Sequence, residues 1–182
     1  MPTIVDLREG KELQRGVAEV YCEVFAGDPW RETNRVDQVM ADMEEHFAKP
    51  KAVALALVAK DSRPVGFTWA YQLLRNGLAE GTRHPPTLDP LFEGTNGDRT
   101  VFYLQEIGVH PKQQGQGLGR RLSLSLLDGV KARGAELVVL STRPDAESMV
   151  RLISSLGFRN LGIVRPPEEL GRTFWTLDLK DQ

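Results

Sequence analysis

Three glycines and two arginines lie close together near the middle of the chain, a composition that suits phosphate binding. The run Gly115-Gln-Gly-Leu-Gly119 is followed directly by Arg120 and Arg121. Because glycine lacks a Cβ atom, consecutive backbone N–H groups can converge on a bound group. The residues after the glycines read as the first turn of a helix, where the helix dipole favours anions and opposes cationic side chains. The arginines therefore predict a phosphorylated ligand at this turn.

The spacing of the glycines distinguishes between the known phosphate-binding loops. A P-loop requires a lysine and a hydroxyl residue directly after its last glycine, and neither follows Gly119. The dinucleotide fingerprint requires a further glycine where Arg120 stands. The remaining pattern, Gln114-Gly-Gln-Gly-Leu-Gly119, follows a strand that ends Glu-Ile-Gly-Val-His-Pro and precedes a downstream Leu156-Gly-Phe158. In this context the segment resembles the acetyl-CoA loop of the GNAT (GCN5-related) N-acetyltransferase superfamily.

The resemblance implies a mixed α/β GNAT fold, with a mostly antiparallel sheet of about seven strands, a splay between strands 4 and 5, and about four flanking helices. Acetyl-CoA would be the co-substrate, and its acetyl group would move directly to a primary amine. The backbone of Ile107 to Val109 would pair with pantetheine, with Gly108 permitting close approach and the Val109 N–H stabilising the oxyanion. The pyrophosphate would lie on the loop, whose residues are Gln114, Gly115, Gln116, Gly117, Leu118, Gly119 and Arg120.

Glu106 is the candidate general base of such a reaction. Regular alternation along the strand places its side chain on one face with Phe102, Leu104 and Gly108. Desolvation among apolar neighbours would raise the pKa of the carboxyl toward the range useful for accepting a proton from an ammonium group. A structural carboxylate paired with a cation, or an anchor for the acceptor's charge, are the alternative interpretations.

The group that would protonate departing CoA is not apparent. In the superfamily, a tyrosine four residues before a Gly-Phe pair often has this role, and Ile153 stands at that position here. Isoleucine cannot donate a proton, so Ser148, Ser154, Tyr103 and water are the substitutes to consider. A non-catalytic acyl-CoA-binding or sensor module of the same fold also remains open. A nucleotide-binding protein would instead bind ATP or NAD more tightly than CoA.

The acceptor is not readable from the residues, and both a small amine and a protein or peptide amine remain open. Trp30 lies between the first two predicted helices, where related enzymes often line the acceptor pocket, although it could equally anchor the core. The irregular segment 75–99 is predicted to border the substrate site. Its acidic residues, which favour a cationic small molecule, are Glu80, Asp89, Glu93 and Asp98.

Hydrophobic periodicity predicts the elements that position these residues. The predicted strands cover residues 3–7, 52–59, 65–74, 101–109, 136–140, 161–164 and 173–179. The predicted helices cover residues 11–25, 36–47, 118–133 and 145–156.

Length and composition indicate one globular domain over residues 1–182. A formal net charge of −2 gives no support for a nucleic-acid or membrane-surface partner. The single Cys22, together with a start that lacks the features of a signal peptide, predicts a cytoplasmic protein. Scattered histidines without ligand spacing argue against a metal site. Apolar Phe174-Trp175 on a late strand leaves a homodimer open.

Overall fold

The structure is a computed structural model, and it describes residues 1–75, 86–94, 97–165 and 171–180. The helices are α1 (Lys11–Ala26), α2 (Val36–Ala48), α3 (Leu118–Lys131) and α4 (Glu147–Ser155). The strands are β1 (Thr3–Asp6), β2 (Val53–Val58), β3 (Pro64–Gln72), β4 (Glu93–Gly94), β5 (Gly97–Asp98), β6 (Val101–Val109), β7 (Leu137–Thr142), β8 (Arg159–Val164) and β9 (Thr173–Asp178). Apart from β4 and β5, these bounds agree with the predicted elements to within a few residues at each end.

Seven of the strands form one sheet in the order β1-β2-β3-β6-β7-β9-β8, and β4 pairs only with β5. Neighbouring strands of the large sheet are antiparallel except for β6 and β7, which are parallel. The pairing of β6 with β7 ends at Tyr103 and Val139, although both strands continue beyond these residues. The two strands therefore diverge toward their carboxyl ends, which confirms the predicted mixed sheet with a splay at its centre.

Helices cover both faces of the sheet. On one face, apolar residues of α1 and α2 pack with Phe67 and Trp69 of β3. On the other face, Leu126 and Val130 of α3 pack with Phe102 and other sheet residues, and α4 adds to the same cluster. The central strand β6 is thus covered on both sides, which explains its nearly continuous apolar sequence.

A β-bulge interrupts the alternation of β6. Glu106 pairs with Trp69 of β3, whereas Leu104 pairs with the very next residue, Ala70. Gln105 is therefore an extra residue on β6, and the side chains that follow it lie on the face opposite to that given by simple alternation. Glu106 consequently shares a face with Trp69, not with Leu104 and Phe102. The prediction that Glu106 lies beside Phe102 and Leu104 is wrong for this reason.

Two further expectations need correction. The segment predicted to be irregular contains a short 3₁₀ helix over Pro86–Phe92 and the β4–β5 pair, and its described part packs around buried Leu88 and Phe92. Residue 80 and much of the remaining segment lie outside the described residues. On β9, Phe174 is only 2% exposed, so of the Phe174-Trp175 pair only the half-buried Trp175 could offer apolar surface to a second subunit. Among the described helices, none has the length and apolarity needed to cross a bilayer.

Candidate functional site

A cavity of about 800 Å³ lies where β6 and β7 diverge. One part of its wall comes from the glycine loop, the start of α3 and the start of α4. Another part comes from α1, the α1–α2 loop and Arg172, which precedes β9. Residues 104–109 of β6 and 140–142 of β7 separate the two parts. We call the first part the loop side and the second part the α1 side.

Backbone conformation makes two glycines of the loop necessary. Gly115 and Gly117 have φ angles of 77° and 75°, in the left-handed region that other residues rarely adopt. Gly117 caps α3, so the unpaired N–H groups of the first helical turn open directly onto the cavity wall. The Gln114 side chain fixes the loop to the strand, because its Nε2 donates a hydrogen bond to the Val109 carbonyl at 3.0 Å. This arrangement fits a phosphorylated ligand.

Gly108 is required by close packing across the sheet. A Cβ atom added there would lie 2.5 Å from Cζ of Phe67, which is fully buried. Ile107, Gly108 and Val109 all line the cavity beside the loop. At Gly108 the strand therefore exposes its backbone to the cavity, and a larger residue there would disturb the packing against Phe67.

The predicted loop residues do not all reach the cavity. Among the cavity-lining residues are Gln114, Gly115, Gly117, Leu118, Gly119 and Arg120, but the exposed Gln116 is not among them and faces Gln113. Arg120 contacts α4 through the Ser155 side chain at 3.1 Å. Arg121 points elsewhere, because its guanidinium donates to the Pro2 carbonyl at the start of β1. The sequence-based reason for placing Arg121 beside a phosphate is therefore wrong.

Glu106 lies on the α1 side in a largely aromatic environment. The hydroxyl of Tyr21 donates to its Oε1 at 3.5 Å, and Nε2 of Gln105 approaches the same oxygen at 3.4 Å. The Gln105 amide is oriented in turn by Tyr71, whose hydroxyl donates to the amide oxygen at 2.8 Å. Within the described residues, no hydrogen bond reaches the second carboxyl oxygen, Oε2 of Glu106.

Burial raises the pKa of Glu106 to about 7, and the Glu32 carboxylate adds to this effect. Gln105, Arg172 and Arg165 oppose it, because a hydrogen-bond donor and two cations favour the ionised carboxyl. A carboxyl with such a pKa is partly ionised near neutral pH and can exchange a proton with an ammonium group. Tyr21 remains a hydrogen-bond donor, since burial raises the pKa of its hydroxyl.

Ile153 does not face the cavity. Its side chain is 1% exposed and belongs to the core between α3, α4 and the sheet. Of the substitutes considered from the sequence, Ser148 lines the cavity, whereas Ser154 is exposed and is not among the lining residues. The Tyr103 hydroxyl is buried against the Ser141 hydroxyl at 2.8 Å and Arg165 at 3.1 Å.

Trp30 both packs against the core and lines the cavity. Its ring packs against Phe25 of α1 with a centroid separation of 5.5 Å, and it also lines the α1 side of the cavity. The Arg172 guanidinium lies over the same ring at 5.3 Å and pairs with Glu32 at 3.3 Å. The α1–α2 loop and the end of the β8–β9 connection therefore meet above the α1 side.

Four contributors to this side were missed by sequence reasoning: Tyr21, Glu32, Gln105 and Arg172. Tyr21 has the spacing of a core residue on α1, and Gln105 shares a face with Glu106 only because the bulge turns Glu106 to that face. Glu32 and Arg172 are 140 positions apart in the chain, so no local sequence pattern predicts their contact. In the described part of the chain, no group of three or more His, Cys, Asp or Glu side chains is arranged to hold a metal ion.

Known sequences are similar to this chain over most of its length. The sequence model of the acetyltransferase (GNAT) family matches residues 17–158. The N-alpha-acetyltransferase RimI of Mycobacterium tuberculosis is 42% identical over 149 residues, which cover 81% of this chain and 73% of that protein. The mycothiol acetyltransferase of Nocardiopsis dassonvillei is 31% identical over 137 residues, or 75% of this chain, but only 36% of its own length is covered.

Solved structures agree on the fold. The structure of yncA from Salmonella typhimurium with its cofactor acetyl-CoA has a TM-score of 0.70 and 19% identity, and the match covers 100% of this chain and 95% of that one. The ribosomal-protein-S18-alanine N-acetyltransferase from Escherichia coli has a TM-score of 0.67 and 19% identity, with 98% and 94% covered. At such identities the similarity concerns the fold alone.

Proposed function

Because the chain belongs to the acetyltransferase (GNAT) family of acyl-CoA-dependent N-acyltransferases, we propose that it moves the acetyl group of acetyl-CoA directly to a primary amine. The observation that carries this proposal is that the glycine loop before α3 and Glu106 line the same cavity. A turn suited to phosphate and a group able to accept a proton thus line the same cavity. The whole chain would act as one domain.

Acetyl-CoA supplies an activated acetyl thioester. On the loop side, backbone N–H groups from Gly115 to Arg120 would hold its pyrophosphate, and Gln114 keeps the turn in place. The backbone of Ile107 to Val109 would hold the pantetheine arm in the gap between β6 and β7. The Val109 N–H is our candidate donor to the developing oxyanion.

Glu106 would accept the proton of the acceptor amine. The hydrogen bonds from Tyr21 and Gln105 both reach Oε1, which leaves Oε2 as the oxygen available to the acceptor. A pKa of about 7 matches the requirement that a base be ionised at neutral pH and still bind a proton effectively. The loop side and the α1 side would then deliver donor and acceptor to opposite sides of the same strand.

A dedicated acid is not required for the leaving group. An alkyl thiol has a pKa of about 8.5, so a thiolate departs far more easily than an amide or alkoxide would. Ser148 lies on the cavity wall and is our candidate for a hydrogen-bond donor to that sulfur. Ile153 is therefore compatible with catalysis.

An α-amine is the acceptor group that the relatives support best. The similar protein from Mycobacterium tuberculosis is named an N-alpha-acetyltransferase. Among the mycothiol acetyltransferases that were compared, the chain covers between 20% and 41% of their own length, so they bear on this chain less directly. Of the acidic residues in the 75–99 segment, the three that the structure describes, Asp89, Glu93 and Asp98, are not among the cavity-lining residues and give no support for a cationic acceptor.

The test is the release of free thiol from acetyl-CoA in the presence of a panel of primary amines, followed by mass spectrometry of the acetylated product. We expect turnover with at least one amine and competition by CoA that exceeds competition by ATP or NAD. Tight CoA binding without turnover across a broad panel would favour the non-catalytic acyl-CoA-binding module instead. Stronger binding of ATP or NAD would contradict both.

A further inference from the structure

The α1 side of the cavity contains a guanidinium as well as the proposed base. Arg172 lines the same cavity as Glu106 and lies close enough to lower the pKa of that carboxyl. Arg165 is held beside it, since its backbone N–H donates to the Arg172 carbonyl at 2.7 Å, and it also lowers the pKa of Glu106. An acceptor that approaches Glu106 therefore encounters positive charge as well as a carboxyl.

Two contacts hold Arg172 in this position. Its guanidinium lies 5.3 Å from the centre of the Trp30 ring, and its Nη2 is 3.3 Å from Oε1 of Glu32. The side chain is 25% exposed, so it is accessible from the cavity without being loose in solvent. A planar cation fixed on an aromatic face loses little conformational entropy when it binds an anion.

The ion pair with Glu32 does not use the full hydrogen-bonding capacity of Arg172. Within the described residues, the guanidinium donates only to Glu32, through one contact, although arginine carries several N–H donors. The Glu32 carboxylate is more fully occupied, because its second oxygen accepts a hydrogen bond from Asn34 at 3.2 Å. On this wall, the arginine therefore has more capacity left for a ligand than the glutamate has.

We propose that the acceptor is an amino carboxylate, whose primary amine reaches Glu106 while its carboxylate binds Arg172. An acceptor with cationic groups alone would bring a second positive charge toward the Arg172 guanidinium without offering it a partner. A carboxylate matches the planar donors of arginine and forms charge-assisted hydrogen bonds. The inference rests on the proposed acetyl transfer and specifies the acceptor for the same cavity.

The test compares each amino acid with its own amide, which keeps the amine and removes the negative charge. Alanine, β-alanine and 4-aminobutyrate, each with its amide, vary the separation of the two groups. The peptide amides Ala-Glu and Ala-Gln place the same charge on a peptide, so they distinguish a free amino acid from a peptide amino terminus. For at least one pair, we expect kcat/KM for the carboxylate to exceed that for the uncharged partner by about tenfold or more.

Arg172→Gln should reduce this acid-to-amide ratio to near one, and Arg172→Lys should keep part of it because the charge remains. Arg159→Gln is the matched control, since Arg159 is exposed on the neighbouring strand β8. It should leave the ratio unchanged. CoA affinity and thermal unfolding of each variant show whether the fold and the loop side are intact.

Equal or better turnover of the amide in every pair would overturn the inference while leaving acetyl transfer itself in place. A ratio that survives Arg172→Gln would overturn it as well. If no amine in either panel releases thiol, the proposed function fails, and this inference fails with it.

Discussion

Replacing Glu106 by glutamine tests the chemistry of the α1 side most directly. With a pKa of about 7, the carboxyl is about one-tenth ionised at pH 6 and about nine-tenths ionised at pH 8. A general base acts through its ionised form, so Glu106 alone should raise kcat/KM by about tenfold over this interval. Glutamine has a similar shape and can still accept a hydrogen bond from Tyr21, but it cannot take the proton.

We therefore expect Glu106→Gln to lower kcat/KM by about 10²- to 10⁴-fold, with CoA affinity nearly unchanged because the glycine loop lies on the other side of the strand. Initial rates should be measured from about pH 6 to pH 8 with an acceptor whose amine pKa lies above this range. The amine then contributes the same slope to both proteins, and the additional tenfold rise should be absent from the variant. Glu44→Gln, at an exposed ion pair with Lys11, is the control. Wild-type turnover in Glu106→Gln would remove this residue from the mechanism.

The same variant has an expected signature in stability. The folded-state pKa of Glu106 lies above the ordinary value of 4.5, so the protonated carboxyl stabilises the fold fully below about pH 4.5. This contribution is lost as the pH rises through about 7, and it amounts to about 3 kcal/mol at most. Glutamine does not ionise, so the variant should gain stability relative to wild type between about pH 5 and pH 8. Urea unfolding at several pH values measures the difference, and a difference that does not change with pH would refute the assigned pKa.

Three other substitutions have defined outcomes. Gly108→Ala places a Cβ atom against buried Phe67 and should lower the free energy of unfolding by about 1–3 kcal/mol, as measured by urea titration. Gly27→Ala is the control and should not lower it, because a Cβ atom there meets no atom within 4 Å. Burial lowers the pKa of His46 to about 4, so wild type should lose stability as the pH falls from about 6.5 to 4. His46→Leu should remove this part of the acid sensitivity. If the variant unfolds with the same pH dependence as wild type, the assigned pKa of His46 is wrong. Ile153→Tyr should lower the melting temperature without increasing kcat, because the Ile153 side chain is enclosed by the core. A gain in kcat would show instead that this position reaches the cavity.

Most of the fold follows from local patterns in the sequence. The helices α1 to α4 and the seven strands of the large sheet lie close to their predicted positions, because hydrophobic spacing and chain breakers such as Gly134 act over short distances. The 3₁₀ turn over Pro86–Phe92 was not predicted. It is stabilised by packing of Leu88 and Phe92 with distant sheet residues, which a local pattern does not reveal.

The candidate site was predictable on the loop side and only partly on the α1 side. Glycine in a sequence often indicates a positive φ angle or a close approach of another group. Both occur here, as positive φ angles at Gly115 and Gly117 and as the approach of Phe67 to Gly108. The partners of Glu106 are different. Tyr21 reaches it from another element, so only tertiary structure brings the two together.

The bulge at Gln105 explains why simple alternation assigned Glu106 to the wrong face of the sheet. Without the extra residue, Glu106 would share a face with Leu104, toward α3 and α4. The bulge instead turns its carboxyl toward Tyr21 and Trp69, and it also turns Ile107 to the α3 side. One strand can thus direct a carboxyl to one side of the sheet and apolar side chains to the other within two residues. This reversal supports delivery of donor and acceptor from opposite sides, because the group that would accept the proton then faces away from the phosphate-binding turn.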